Sequence, residues 1–153
     1  AAVRSFDQVI RREPRNAKAY NNRGMSLHFL GRDAEALADM DIALGIDPGY
    51  AQAYNKRGQV KLGLKDLPGA LQDFDRSIAL DPTNASAYTN RGALKVELKD
   101  FAGAIADLDR SIALDNTQPE SYYNRGVAWE AMGEPVKAER DFKIAEGLRR
   151  GRE

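Results

Sequence analysis

A short pattern of Tyr, then Arg and Gly three and four residues later, recurs every 34 residues along this chain of 153 residues. The four tyrosines are Tyr20, Tyr54, Tyr88 and Tyr122. Aligned without gaps, residues 51–84 and 85–118 are identical at 20 of 34 places. A fixed period of this length predicts a solenoid, in which each repeat buries its apolar face only by stacking on its neighbours.

Each repeat is predicted to contain two helices. In the second repeat, Tyr54, Gly58 and Leu62 are spaced as on one helix face, and Phe74 and Ile78 continue the same spacing after a break. Three aspartates near the breaks are predicted to cap the second helices, and these are Asp33, Asp66 and Asp100. Three of the four repeats then end in Asp followed by Pro or Asn. Pro ends a helix because it lacks the N–H that a helix interior needs.

One order of residue types recurs along the chain and resembles the tetratricopeptide repeat. It consists of an aromatic residue, a small residue four places on, an Ala twelve beyond that, then a large apolar residue and an Ala or Ser. The first repeat shows it as Tyr20, Gly24, Ala36, Met40 and Ala43. The resemblance covers 1–153 and implies an all-α, right-handed α-solenoid of stacked antiparallel helix pairs. The repeats are expected at 17–50, 51–84, 85–118 and 119–152, after the second helix of a truncated repeat at 1–16.

The two ends of the repeat array differ. Second helices carry Leu71 and Ile78 in the second repeat, where the last repeat has Glu139 and Glu146, which predicts a polar cap. The first helix has no such cap, and its Phe6 and Val9 lack a partner within their own repeat. We therefore expect either missing upstream residues or self-association through this helix.

Composition excludes several classes of function. Lys plus Arg and Asp plus Glu number 23 each, which argues against nucleic acid as a partner. No apolar run is long enough for membrane insertion and no signal peptide is visible, so a soluble chain is expected, with the cytoplasm favoured over export. With no Cys and one His, neither a cofactor nor a metal site is predicted.

The resemblance implies that first helices line a concave groove, which an Asn two places before the small residue can face. Here that place holds Asn22, Lys56, Asn90 and Asn124. An Asn side chain can pair with both the N–H and the C=O of an extended peptide, although it is also tolerated as a polar residue near a helix start. Three such hydrogen bonds contribute about 1.5 to 4.5 kcal/mol, less than the roughly 8 kcal/mol of micromolar binding, so neighbouring side chains must add contacts.

Those neighbours are expected to make the groove lining mixed in character. They are Lys18, Asn21, Met25, Asn55, Gln59, Thr89, Glu97, Tyr123 and Glu130. Lys18 and Lys56 belong to the first two repeats, and acidic residues to the last two, which predicts a ligand with the opposite charge order. Some family members hold a terminal carboxylate with Lys and, four residues on, Asn, whereas this chain has Asn21 and Met25 at those places.

Other recurrent or isolated polar residues are interpreted as structural. Four arginines are each followed sixteen residues later by an aspartate, as in Arg57 and Asp73, which indicates ion pairs between helices. His28 has no partner motif for catalysis or metal binding. Asn84 fits a glycosylation sequon but stands where a helix cap is expected.

Three functions remain open at this stage. The first is a protein-interaction scaffold that binds a peptide segment of a partner in the groove. The second is a structural or self-assembly unit of a larger complex. The third is the recruiting arm of an enzyme whose catalytic domain lies elsewhere, since the chain itself shows no catalytic motif and is predicted not to be an enzyme.

Overall fold

The computed structural model describes residues 1–152, and within them the chain forms nine α-helices and no strand. The fold is therefore all-α, as the sequence predicts. The helices are α1 (Ala2–Arg12), α2 (Ala17–Phe29), α3 (Asp33–Ile46), α4 (Ala51–Gly63), α5 (Leu67–Leu80), α6 (Ala85–Glu97), α7 (Phe101–Leu114), α8 (Pro119–Ala131) and α9 (Pro135–Arg150).

The helices form two compact units, which meet in sequence between Asp81 and Pro82. In the first unit, α2 packs on α3 and α4 on α5, while α1 packs on α2 and α3 on α4. In the second unit, α6 packs on α7, α7 on α8, and α8 on α9. Each 34-residue repeat thus contributes one helix pair.

The interior of each helix pair is built from the residues that recur every 34 places. Ala70, Phe74 and Ser77 of α5 are completely buried, as are their equivalents Ala104 and Leu108 of α7. The small residues let the paired helices approach closely, and the large apolar residue fills the space between them. The repeat pattern therefore specifies the core directly.

Two of the three predicted aspartate caps are confirmed. Asp66 accepts a hydrogen bond from the backbone N–H of Gly69 at 3.1 Å, and Asp100 does the same for Gly103 at 3.0 Å. The prediction for Asp33 is wrong, because it is the first residue of α3, and Arg32 precedes it without a side-chain cap. Strict 34-residue register places Arg32, not Asp33, at the position of Asp66.

The turn between the paired helices requires a left-handed backbone. Gly31 and Gly133 adopt φ angles of 75° and 80° there, whereas the two middle repeats place Lys65 and Lys99 at φ angles of 64° and 60°. A side chain in this conformation approaches its own carbonyl group, which costs roughly 1 to 2 kcal/mol. Glycine avoids that contact at the end of a helix.

Replacing Lys99 by Gly is therefore expected to stabilise the protein by about 0.5 to 1 kcal/mol, since part of the relieved strain is offset by the freer unfolded chain. Urea unfolding measures the change. Gln72→Gly is the control, because it places glycine at an exposed position inside α5 and should destabilise by about 1 kcal/mol. A loss of stability in Lys99→Gly would contradict the interpretation.

The terminal helices differ in the residues that they expose. On α9, Glu139 and Glu146 are exposed and pair along the helix with Lys143 and Arg150. On α1, no residue is fully buried, and Val9 remains 37% exposed. The face of α1 that would meet a first helix is therefore open in this structure.

Candidate functional site

The first helices of the repeats carry most of the predicted binding residues at their surface. Lys18, Glu97, Tyr123 and Glu130 are exposed, and the others on this surface are half-buried. The half-buried ones are Asn22, Met25, Lys56, Gln59, Asn90 and Asn124. Within each unit, the first helices of successive repeats are in contact, α2 with α4 and α6 with α8. In each unit, we call the exposed faces of its first helices, α2 and α4 in the first and α6 and α8 in the second, the first-helix surface.

Asn124 on this surface keeps hydrogen-bonding capacity. The Nδ2 group of Asn124 donates to the backbone carbonyl of Glu120 at 2.9 Å, one turn earlier in α8. That bond holds the side chain against its own helix and uses one of its two amide hydrogens. One donor and the carbonyl acceptor remain for a ligand.

Three residues predicted to line the groove are buried instead. Asn21, Asn55 and Thr89 are only 4%, 2% and 6% exposed, so a ligand has no access to them. This corrects their assignment to the binding surface. They share one position of the repeat, one residue before the predicted Asn ladder, and a step of one residue turns a side chain by about 100° around a helix.

This shared position joins successive repeats within a unit. The hydroxyl of Thr89 lies 2.6 Å from that of Ser111 in its own repeat and 2.8 Å from that of Ser121 in the next. In the first unit, Asn21 donates to the Tyr50 hydroxyl at 3.5 Å. The hydroxyls of Thr89, Ser111 and Ser121 satisfy one another and join their two repeats, whereas Oδ1 of Asn21 is buried without a hydrogen-bond partner within residues 1–152.

The last repeat has Tyr123 at the same position. Its ring lies 5.6 Å from that of Phe142, and the Arg149 guanidinium lies 5.3 Å from its centroid. At 45% exposed, Tyr123 packs on α9 and is still accessible. Tyr123 therefore remains part of the first-helix surface, as an aromatic side chain at the edge of that surface.

The recurrent Arg and Asp residues form ion pairs inside every helix pair, which confirms their structural interpretation. Nε and Nη2 of Arg57 lie 2.9 and 2.8 Å from the two carboxylate oxygens of Asp73. The same two-bond geometry joins Arg23 to Asp39, Arg91 to Asp107 and Arg125 to Asp141. Hydrogen bonds to Asp73 also raise the pKa of Arg57 above its ordinary value, against the opposing effect of burial.

Comparison with known proteins fits this geometry. Three models of the tetratricopeptide repeat match residues 1–51, 51–84 and 94–133. The chain is a tetratricopeptide-repeat protein. No curated protein matches it by sequence.

Several solved structures share this tetratricopeptide-repeat fold. A crystal structure of MamA is 22% identical, with a TM-score of 0.82, and the match covers 98% of this chain and 88% of MamA. A crystal structure of PilW, described as a widely conserved type IV pilus biogenesis factor, is 25% identical, with a TM-score of 0.85 and coverage of 94% and 67%. PilF of Pseudomonas aeruginosa is 19% identical, with a TM-score of 0.85 and coverage of 94% and 65%.

Sequence reasoning missed a second set of ion pairs in these tetratricopeptide repeats. Besides its own aspartate, each of three arginines reaches an aspartate sixteen residues earlier, on the preceding second helix, at 2.9 Å. The pairs are Arg23 with Asp7, Arg57 with Asp41, and Arg125 with Asp109. The sequence could have predicted these pairs, because aspartates recur at 34-residue spacing at these positions.

The remaining candidates have structural partners. His28 Nδ1 lies 2.6 Å from a carboxylate oxygen of Asp33, and its ring lies beside Phe29. Asn84 accepts a hydrogen bond from the Ser86 N–H at the start of α6, which confirms it as a cap. Across residues 1–152, no cluster of His, Asp and Glu could hold a metal ion, and no helix is long and apolar enough to span a membrane.

Proposed function

We propose that this tetratricopeptide-repeat protein is a protein-interaction scaffold whose first-helix surface binds a peptide segment of a partner. One observation carries the proposal. In each unit, adjacent first helices present accessible amide or amine side chains, Asn22 and Lys56 on α2 and α4, and Asn90 and Asn124 on α6 and α8. Repeated side chains of this kind suit the repeating main chain of an extended peptide.

Charge suggests which peptide residues each unit prefers. Lys18 and Lys56 give the α2 and α4 faces positive groups, whereas Glu97, Glu120 and Glu130 give the α6 and α8 faces negative ones. Complementary charge increases the association rate and suppresses wrong partners. We therefore infer acidic ligand residues against the first unit and basic ones against the second.

The double substitution Asn90→Ala and Asn124→Ala tests the proposal. Losing two peptide-directed hydrogen bonds, at about 0.5 to 1.5 kcal/mol each, is expected to weaken binding roughly 5- to 150-fold. Partner peptides are first captured with the wild-type protein, identified by mass spectrometry, synthesised and then titrated calorimetrically against both proteins. Peptides with reversed charges, titrated in parallel, report on the electrostatic preference.

Asn116→Ala is the matched control, since Asn116 is an exposed Asn in the loop before α8. Its side chain can be removed without touching the first-helix surface, so affinity should stay at the wild-type value. If the captured peptides bind the Asn90, Asn124 double variant as tightly as the wild type, the first-helix surface is not their binding site.

Self-assembly is a second candidate function, favoured by the open face of α1. Val9 is 37% exposed on a helix whose Phe6 is only half-buried, and Phe29, which shares a pocket with Ala2 and Val3 at the start of α1, is 80% exposed. Two copies could cover these groups by packing α1 against α1.

Val9→Glu is expected to abolish this association, because it places a charge in the centre of the contact. Multi-angle light scattering over a range of concentrations would show the wild type shifting towards a dimer and the variant staying monomeric. Gln8→Glu adds the same charge to an exposed polar position of α1 and should leave the dimer intact. A wild type that is monomeric at every concentration excludes this function.

A further inference from the structure

A crevice lies between α8 and α9 within the last repeat. Its volume is about 210 Å³, and it is lined by Arg125, Trp129, Lys137, Arg140 and Asp141. Trp129 lies five residues after Asn124 on α8, which places it well away from Asn124 around the helix. The crevice is therefore distinct from the first-helix surface.

The repeat period supplies an internal comparison. Arg125 and Asp141 have counterparts in every repeat, but the other three lining residues do not. Where the last repeat has Trp129, Lys137 and Arg140, the preceding repeats have Leu27, Glu35 and Ala38, then Lys61, Gly69 and Gln72, then Lys95, Gly103 and Ala106. A scaffold needs only the residues that recur in its repeats. The aromatic residue and the two cations occur together in the last repeat alone, which indicates a role confined to this repeat.

In the middle repeats, a lysine takes the place of the indole. Lys61 Nζ lies 3.1 Å from Asp73, and Lys95 Nζ lies 2.9 Å from Asp107, so each amine completes the ion pair of its own repeat. Trp129 carries no charge and cannot complete an ion pair in this way. Within the last repeat, Asp141 forms its ion pair with Arg125 only. The positive groups at the rim of this crevice are instead Lys137 and Arg140, which both belong to α9.

Neither rim cation forms a close ion pair with a carboxylate of α9 or of the turn before it, and the same holds for Arg149, whose guanidinium lies over the Tyr123 ring. Lys143 and Arg150 pair with Glu139 and Glu146 along the helix. Lys137 has only a long contact of 3.8 Å with Glu134, and its Nζ sits 4.4 Å from the centroid of the Trp129 ring.

Arg140 lacks even a long contact with a carboxylate of the described chain. Its side chain is exposed, and within residues 1–152 it forms neither an ion pair nor a hydrogen bond. Its guanidinium therefore keeps a complete set of donors, in the fork geometry that matches a carboxylate.

We propose that this crevice is a second docking site, which takes an acidic side chain of a partner polypeptide. The carboxylate lies between Arg140 and Lys137, and an apolar residue next to it in the partner packs on the half-buried face of Trp129. The proposal rests on the scaffold function for the partner being a polypeptide. It adds a contact on the second-helix side that would raise the affinity of a ligand also held by the first-helix surface.

Trp129 makes the site directly observable, because it is the only Trp in the chain. The probe is a short blocked peptide with one Glu between two Leu residues, and a matched peptide has Gln in place of Glu. Indole fluorescence is expected to change saturably with the Glu peptide at millimolar concentration, and at least fivefold more Gln peptide should be needed.

Two variants and a matched control locate the binding. Arg140→Gln and Lys137→Gln are each expected to weaken the Glu peptide about fivefold, whereas Lys143→Gln removes the same charge from an exposed position of α9 outside the crevice and should change nothing. Circular dichroism checks that all three variants keep the wild-type unfolding midpoint.

The outcomes are distinct. No saturable response, equal affinity for the Glu and Gln peptides, or equal weakening by Lys143→Gln would overturn the proposal. Inorganic phosphate displacing the Glu peptide at equal concentration would also overturn it, by making the crevice a general anion site. Retention of the fluorescence response in the Asn90, Asn124 double variant separates this site from the first-helix surface, so each can fail alone.

Discussion

Substituting Asp73 by Ala is expected to destabilise the protein by about 3 to 5 kcal/mol. The Asp73 side chain is 4% exposed and accepts two hydrogen bonds from Arg57, while Lys61 Nζ lies 3.1 Å away. Its removal leaves Lys61 without its ion-pair partner and leaves Arg57 with only the exposed carboxylate of Asp41. Taking charges out of water is costly, and the buried carboxylate of Asp73 compensates most of that cost here.

Asp41→Ala provides a control on the same arginine. Asp41 contacts Nη1 of Arg57 at 2.9 Å, but its side chain is 64% exposed, so water replaces much of the lost contact. We expect a cost of at most about 1 kcal/mol. Urea unfolding followed by circular dichroism measures both variants, and equal losses of stability would show that burial of Asp73 is not what makes its pair important.

The comparison of these two aspartates shows what the repeat pattern could reveal. The 34-residue period predicted the helix pairs, the buried Ala70 and Phe74, and the pairing of Arg57 with Asp73, because residues that recur in every repeat meet the same neighbours. The pairing of Arg57 with Asp41 follows the same rule. It was not predicted, because it joins Arg57 to an aspartate of the preceding repeat, earlier in the sequence.

The pattern could not separate exposed from buried polar residues. Asn21 and Asn22 are adjacent, yet the first is buried and the second half-exposed. Asn21 is buried because the next repeat covers it and Tyr50 approaches its amide, which is a tertiary contact that composition does not report. Recurrence of a polar residue predicts a shared environment, and that environment can be a contact between repeats as readily as a binding surface.

The crevice beside Trp129 shows the complementary principle. Three of its lining residues are visible in the sequence as departures from the repeat. Only the structure places Lys137 over the Trp129 ring and Arg140 at the same opening. In this repeat protein, residues that break the period therefore indicate a function confined to one repeat, whereas residues that keep it belong either to the core, as Asp73 does, or to a surface that the repeats share, as we propose for Asn90.

Gly58→Ala is expected to lower the free energy of unfolding by about 1 to 3 kcal/mol, although Ala ordinarily favours a helix over Gly. A Cβ atom at Gly58 would lie 2.7 Å from Cε1 and 2.8 Å from Cδ1 of Phe74. Phe74 is completely buried, so its ring cannot move aside without displacing the rest of the core. Either the ring leaves its rotamer or α4 moves away from α5, and both lose packing.

Two further glycines distinguish this steric explanation from a general effect of the substitution. Gly63→Ala, at the end of the same helix, meets no atom within 4 Å and should be neutral or slightly stabilising. Gly24→Ala meets the Ala36 carbonyl oxygen at 3.1 Å and Met40 Cγ at 3.2 Å, and these contacts need shifts of only a few tenths of an ångström, so its cost should lie between the other two. Thermal unfolding of the three variants gives the order. If Gly58→Ala proves as stable as Gly63→Ala, the close approach of α4 to α5 does not depend on glycine, and the small residue of this repeat has another explanation.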